Sequence, residues 1–342
     1  MGAERLWWWL PWVMLLPLAA MLSLLAGSSH LPPSAVWAAL WGEGDPVHQT
    51  IVWHARLPVL LLGAAVGASL GASGAALQGV LRNPLADPFL LGVSGGAGLG
   101  ATIGAMAMGG TALSMTLGAA TGALVLMGGL ALLALRLPTR GQQASTTLLL
   151  AGVMLNALCG ALILIAYVFL RPERLQNLLT WLMGSLTHQV VPVSTSGALL
   201  LATAAGVLVL HRLSPHLNLL ALGDDTATSL GVRVDHYRGS VLAVVALLVA
   251  GAVAYAGLIG FVGLLMPHLI RRVAGADYRR VVLGSALAGA SLLLLADAVA
   301  RHAFPWVGNL LPVGAITALV GAPAFLLLLW RQLRSASLGG SA

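Results

Sequence analysis

The chain has 342 residues, of which 59% are hydrophobic and 8% charged, and its mean hydropathy is +0.95; that composition excludes a soluble globular fold and matches a polytopic membrane protein. The formal charge of +7 is carried by arginine alone. Without lysine there is no P-loop, whose Gly-Lys-Ser/Thr cradles phosphate, so the chain is not its own conventional ATPase; and arginines in short loops between apolar spans set topology rather than bind nucleic acid.

Residues 1–27 carry Glu4 and Arg5, then Trp7, Trp8, Trp9 and Trp12, then an apolar run of bilayer length. The run is too long for an ordinary signal-peptide core and the tryptophans suit an interfacial belt, so a retained first span is expected. Residues 28–55 are polar and mixed and are expected to form an external loop. A second span opens at Arg56-Leu57-Pro58, with Gly63, Gly67 and Gly71 on one face for close helix approach. The stretch Arg82-Asn83-Pro84-Leu85-Ala86-Asp87-Pro88 breaks it, since each proline interrupts the hydrogen-bond ladder.

Further spans are expected at 92–108, at 113–135 before Arg136 and Arg140, at 144–170 before Arg171, Glu173 and Arg174, and at 193–210, with an interfacial segment at 176–187. A polar stretch, 211–238, follows. In it Leu219-Leu220-Ala221-Leu222 is closed by Gly223, which permits a sharp turn, and Asp224 or Asp225 is placed to cap a second short helix. Spans at 239–255, 257–270, 281–300 and 311–330 bring the count to about ten.

An even count puts both termini on one side, with thirteen of the seventeen arginines; only Arg56, Arg171, Arg174 and Arg301 fall on the other. The asymmetry assigns the termini and the 211–238 loop to the cytoplasm. Cys159 has no disulfide partner. The histidines, among them His30, His48, His54, His188, His268 and His302, form no ligand-spaced cluster, and no HExxH is present, so no metal site is expected. Gly96-Ala97-Gly98-Leu99-Gly100-Ala101 fits a dinucleotide fingerprint only formally, with no strand before it; close helix packing explains it better. Intramembrane acids are too few for a proton-coupled carrier, Asp297 lying near the end of its span.

The run of motifs Arg56-Leu57-Pro58, Gln78-Gly79, Arg82 to Pro88, Leu91-Gly92-Val93-Ser94, Leu220-Ala221-Leu222-Gly223-Asp224, Gly260-Phe261-Val262-Gly263, Pro267-His268, Leu311-Pro312-Val313-Gly314 and Gly321-Ala322-Pro323 resembles the FecCD-type permeases of bacterial ABC importers, which include vitamin B12, haem and ferric-siderophore permeases. The resemblance implies an all-α polytopic fold of about ten helices with an inverted repeat, in the type II importer architecture, as one permease domain over 1–342. It also implies a homodimer in the bacterial inner membrane, two cytoplasmic ATPase subunits that hold ATP and Mg, a periplasmic binding protein, and no cofactor or enzyme activity on this chain.

By the same resemblance Leu222, Gly223, Asp224, Asp225, Thr228, Leu230 and Gly231 form the ATPase-coupling segment. Arg56 and Arg301 match positions that meet acidic residues of the binding protein, with Arg171 and Arg174 beside them, although Asp297 stands four residues before Arg301 and is placed to pair with it. Ser145 and Thr146 match a cytoplasmic gate, Ser145 also suiting a helix N-cap. Asn156 and Thr317 are polar groups inside spans, candidates for the pathway or for interhelical hydrogen bonds. The expected activity is import of a large metal chelate, haem or ferric siderophore with cobalamin close behind, by alternating access; the alternative is an ATP-independent ten-helix carrier or channel.

Overall fold

The structure is a computed structural model describing residues 10–27, 29, 31–107, 111–136, 142–187, 190–303 and 310–339. Trp7, Trp8, Trp9, Arg5, His30, Arg140 and His188 lie outside the described residues. The described chain is helical: α1 (Leu10–Leu25), α2 (Pro33–Leu40), α3 (Pro46–Ile51), α4 (Leu57–Val80), α5 (Val93–Ala107), α6 (Ala112–Arg136), α7 (Gln142–Tyr167), α8 (Pro172–Leu182), α9 (Val193–Ala221), α10 (Asp224–Ser229), α11 (Val234–Ala256), α12 (Val262–Ala274), α13 (Tyr278–His302) and α14 (Val313–Gly339).

The ten expected spans correspond to α1, α4, α5, α6, α7, α9, α11, α12, α13 and α14. By length and apolarity six helical stretches cross a bilayer unaided: Pro46–Val80, Ala112–Ala134, Gln143–Tyr167, Val193–Ala221, Val234–Ala256 and Tyr278–His302. Pro11–Leu25, Val93–Ala107 and Val313–Leu328 are apolar but shorter, and α12 has only 13 residues.

The 28–55 segment, expected as an external loop, holds two short helices, α2 and α3, each with proline in its first turn, and Asp45 caps α3 by accepting from the Val47 N–H at 2.8 Å. Two expectations need correction. A π-helical turn, Val52–Arg56, then feeds α3 into α4, so that helix starts before Arg56. The sixth span does not stop at 210; α9 continues through Pro215 and takes in most of the Leu219–Leu222 run, because Leu210, Leu217 and Leu220 all bury on one face.

Glycine contacts form the core. Along α4, Gly67 and Gly71 meet the backbone of α13 at Gly289 and Ser285, and Gly74 meets Gly263 of α12. Gly63, the first residue of the expected face, meets the side chains of Leu186 and Leu294 instead. In α5, Gly96, Gly100 and Gly104 lie against Gly122, Gly118 and Ser114 of α6, so the formal dinucleotide fingerprint is a packing stripe. Between α11 and α12 the backbone bends through Gly257 (φ 68°) and Phe261 (φ 69°). There Ser185 N–H donates to the Ala256 carbonyl at 2.9 Å, and the neighbouring Gly184 carbonyl in turn accepts from Gly314 N–H at 3.1 Å, so three chain segments meet.

Candidate functional site

The polar stretch after α9 folds into a compact elbow. Gly223 adopts φ 121°, which an L side chain rarely allows, so α9 stops and α10 starts in a new direction. Asp224 does not cap α10, contrary to expectation: Gly223 occupies the N-cap without a side-chain bond, and Asp224 is the first helical residue, turned inward and 6% exposed. Its two carboxylate oxygens each accept from Arg238 Nη2 at 3.1 Å, and Arg82 Nη2 lies 3.4 Å from Oδ1. A tertiary partner on α11 and one on the loop after α4 thus take the carboxylate that local rules assign to a cap. Asp225 is exposed.

The outer face of this elbow presents two leucines beside the exposed polar residues Asp225, Thr226, Thr228 and Ser229. Leu222 is 65% and Leu230 59% exposed, on either side of α10, and no atom lies within 4 Å of a Cβ built at Gly231. The Thr228 hydroxyl donates back to the Asp224 carbonyl at 2.7 Å, which closes the short helix. A cavity of about 410 Å³ beside α10 is lined by Asp224, Thr228, Val232, Arg233, Asp235 and Arg238. Behind it His216 of α9 stacks on Tyr237 of α11 at 3.7 Å between ring centroids.

On the opposite side, Arg56 and Arg301 converge on the carboxyl end of α1. Arg56 is 2% exposed and donates to the carbonyls of Leu24 at 2.7 Å, Leu25 at 3.3 Å and Ser29 at 2.6 Å. Arg301 is 7% exposed, donates to the Ser23 carbonyl and hydroxyl at 2.8 Å each and to the Ala26 carbonyl at 3.0 Å, and pairs with Asp297. The last carbonyls of a helix lack intrahelical donors and carry the negative end of its dipole, so two cations there are locally satisfied. For Arg301 the structure supports the pairing with Asp297 that the sequence allowed, and neither guanidinium is turned outward for docking in this conformation. Arg174 is half-buried and reaches the Ala105 and Met106 carbonyls at 3.3 and 3.4 Å, ending α5, whereas Arg171 is exposed. Arg56→Ala is therefore expected to destabilise the solubilised protein by about 2–3 kcal/mol, since it strands buried carbonyls, and Arg171→Ala to stay within about 0.5 kcal/mol; thermal melts in detergent compare the two.

The intramembrane candidates do not gather into one site. Ser145 is no N-cap, because α7 already begins at Gln142; its buried hydroxyl donates to the Leu81 carbonyl at the end of α4. Thr146 beside it faces outward. Asn156 donates to the Phe89 carbonyl at 2.7 Å and accepts from Gly95 N–H at 2.8 Å and from the Ser94 hydroxyl at 3.2 Å, holding the 82–92 turn and the first turn of α5 together. Thr317 is buried and bonds back to the Gly314 carbonyl at 3.0 Å. For these two the geometry has the structural hydrogen bonds, and neither lines the cavity of about 760 Å³ that Leu99, Ile103, Leu117, Val125, Leu155 and Cys159 border between α5, α6 and α7. No group of three or more His, Cys, Asp or Glu suited to a metal occurs among the described residues.

Sequence reasoning overlooked Arg82 and Arg238 as partners of the elbow. Arg82 was visible only as part of a turn motif, and its own backbone is in the left-handed region at φ 47°.

Comparison with known proteins bears on the family and the fold. The model of the FecCD transport family matches residues 15–331. The chain is 39% identical to the vitamin B12 import system permease protein BtuC of Escherichia coli O17:K52:H18 over 328 residues, covering 95% of each. It is 37% identical to the uncharacterized ABC transporter permease protein YvrB of Bacillus subtilis (strain 168) over 335 residues, covering 93% of this chain and 92% of that one. A solved metal-chelate type ABC transporter in an inward-facing conformation superposes with a TM-score of 0.80 at 31% identity, over 94% of this chain and 98% of that one.

Proposed function

The chain belongs to the FecCD transport family and is the multi-pass membrane permease subunit of an ABC importer, and from that premise we propose that it moves a large metal chelate across the bacterial inner membrane by alternating access, with both termini in the cytoplasm. A permease of this kind works with ATPase subunits and a substrate-binding protein. The observation that carries the reading furthest is the elbow: two exposed leucines flanking a short helix whose base is fixed by a buried charge cluster. Such a unit suits a groove on a second protein, because its apolar tips gain by burial while its anchor resists being pulled out.

Force applied to α10 by the ATPases passes through Asp224 to Arg82 and Arg238, and so to the inner ends of α4 and α11. Leu222 and Leu230 are the contact residues, and Gly223, Gly231, Asp225 and Thr228 shape the turn around them. Two copies pair through α7 and α14, each of which leaves large apolar side chains open: Leu150, Val153, Met154 and Leu158 on one, Leu319, Val320, Leu326 and Leu327 on the other. Thr146, exposed at the start of α7, then lies beside the pathway as a gate residue. On the outside Arg171 is the docking cation for the binding protein, and Arg56 and Arg301 join it only if α1 releases them. ATP and Mg stay with the ATPase subunits, and this chain performs no covalent chemistry.

Cobalamin is the first cargo to test, because relatives at 39% identity are named for vitamin B12 import; haem and ferric siderophores are the others. Titration of the cognate binding protein with each of the three identifies it, and binding of none of them overturns the chelate reading. For the elbow, Leu222→Arg is expected to keep the melting temperature, as a surface change within about 0.5 kcal/mol, and to lose the ATPase subunits on co-purification. Retention of those subunits would exclude Leu222 from the contact.

A further inference from the structure

A second set of contacts leaves the elbow by a route that does not involve Asp224. Asn218, three residues before the end of α9, makes a reciprocal pair with the turn between α12 and α13. Its Nδ2 donates to Asp277 Oδ1 at 2.8 Å, and its Oδ1 accepts from the Tyr278 N–H at 2.9 Å. Two helical turns earlier on the same face, His211 Nδ1 lies 3.2 Å from the Arg279 carbonyl. Asp277 also accepts from the Arg279 N–H at 3.0 Å and so caps α13. Burial pushes the Asp277 carboxyl up, but the Asn218 bond, the Arg279 amide and the Arg279 and Arg280 cations together hold it below the usual carboxylate value.

The contacts continue inward from the turn. The Tyr278 ring lies against Gly79, and its hydroxyl accepts from Arg271 Nη2 at 3.3 Å. Arg271 Nη1 donates to Gln78 Oε1 on α4, and Gln78 Nε2 returns to the Leu264 carbonyl of α12 at 3.4 Å. Through Gln78, α12 is thus tied to α4 near both of its ends, and through the turn its inner end is tied to α9. Its outer end follows the bent Gly257–Phe261 link, where a Cβ at Gly257 would stand 2.1 Å from the Trp181 carbonyl and one at Gly314 would stand 2.7 Å from the Leu258 carbonyl. A helix of 13 residues that is held against α4 at Gly263–Leu264 and at Arg271, and entered through a bent link, is suited to move as a rigid piece.

We propose that Asn218 is a positioning residue of the transport cycle, passing displacement of the elbow into the α12–α13 turn so that α12 acts as a lever between the ATPase side and the outer junction. This rests on the reading of α10 as the ATPase contact. It adds a route to α12 and α13, separate from the Asp224 route to α4 and α11, and the side-chain chemistry of the pair makes it testable by exchange. Asn218→Asp sets a second carboxylate against Asp277. Asn218→Asp with Asp277→Asn removes the carboxylate pair and re-forms the link between α9 and the turn with donor and acceptor exchanged: Asn at 277 donates to Asp at 218, and Asp at 218 accepts from Tyr278 N–H, while the cap bond from Arg279 N–H, which shares Asp277 Oδ1 with Asn218, is the one given up.

The test uses the full permease with its ATPase subunits in lipid nanodiscs, with Cys159→Ser and a nitroxide on Val299→Cys, an exposed position of α13 outside the proposed pairing surface. In this parent, trapping the ATPases with ADP and vanadate is expected to shift the distance between labels on the two copies. Asn218→Asp is expected to keep the ATPase subunits bound but lose the shift, and the exchange variant to regain it. A full shift in Asn218→Asp, or an exchange variant that binds the ATPases without regaining the shift, overturns the lever. Should Asn218→Asp fail to fold, Asn218→Ala takes its place, removing both bonds without adding charge, and a full shift there overturns the lever equally. A parent that binds no ATPase overturns the α10 reading itself, an outcome distinguishable from the others because it appears before any change at Asn218.

Discussion

Asp224→Asn is expected to destabilise the permease by about 3–5 kcal/mol, the cost of removing one partner from a buried ion pair, and to release the ATPase subunits with it. The physical reason lies in the asymmetry of the cluster. One carboxylate, 6% exposed, serves two guanidinium groups. Arg238 is buried with its side chain 8% exposed, so once Asp224 is neutral its charge is left largely desolvated and without its partner; Arg82, at 23%, is the more exposed of the two. The order of damage should therefore be Asp224→Asn first, Arg238→Gln next, and Arg82→Gln last, the last within about 1 kcal/mol, as for a partly exposed pair. The double variant Asp224→Asn with Arg238→Gln should recover part of the loss, because no unpaired buried charge remains. Thermal melts in detergent and ATPase co-purification read the two effects separately. Equal melting temperatures for Asp224→Asn and the parent would mean that the cluster does not hold α10 in place, and the transmission route through it would fall.

How far the sequence could be read depended on whether the answer was local. Helices and their breaks were legible, since run length and apolarity are what a bilayer selects, and the Arg82 to Pro88 turn stops α4 where its prolines predict. The two short helices of 28–55 were legible too, but were missed: Asp45-Pro46 is an N-cap followed by proline in the first turn, and polarity was given more weight than that signal. The arginines were not legible. Arg56 bonds to carbonyls 27 to 32 residues away and Arg301 to carbonyls about 275 away, and nothing in either neighbourhood says that a helix terminus waits there. Charge counting assigns them to the external side, but it does not tell a cation facing water from one inserted under a helix end. Asp224 failed for a related reason: the rule that puts aspartate at a helix start is worth about 1 kcal/mol, and a buried guanidinium fourteen residues on outcompetes it.

Gly71→Ala is expected to prevent assembly of the fold, although it adds a single methyl group. A Cβ at Gly71 would lie 2.0 Å from the Ser285 carbonyl oxygen, at Gly67 2.3 Å from that of Gly289, and at Gly74 1.9 Å from that of Gly263. These are backbone atoms of α13 and α12, so no rotamer change clears them, and whole helices would have to move apart by the width of the methyl. In lipid that separation is not repaid by hydrophobic gain, because acyl chains are as apolar as the side chains they would meet; close backbone packing is itself the adhesion. The same substitution at Gly128 of α6 meets nothing within 4 Å, and in a helix interior it should stabilise by up to about 1 kcal/mol, alanine being the better helix former. Membrane-extracted yield and melting temperature of Gly67→Ala, Gly71→Ala and Gly74→Ala against Gly128→Ala decide the matter. If all four behave alike, the glycine face of α4 is not what holds α12 and α13, and the lever of which α12 is the arm loses its fulcrum.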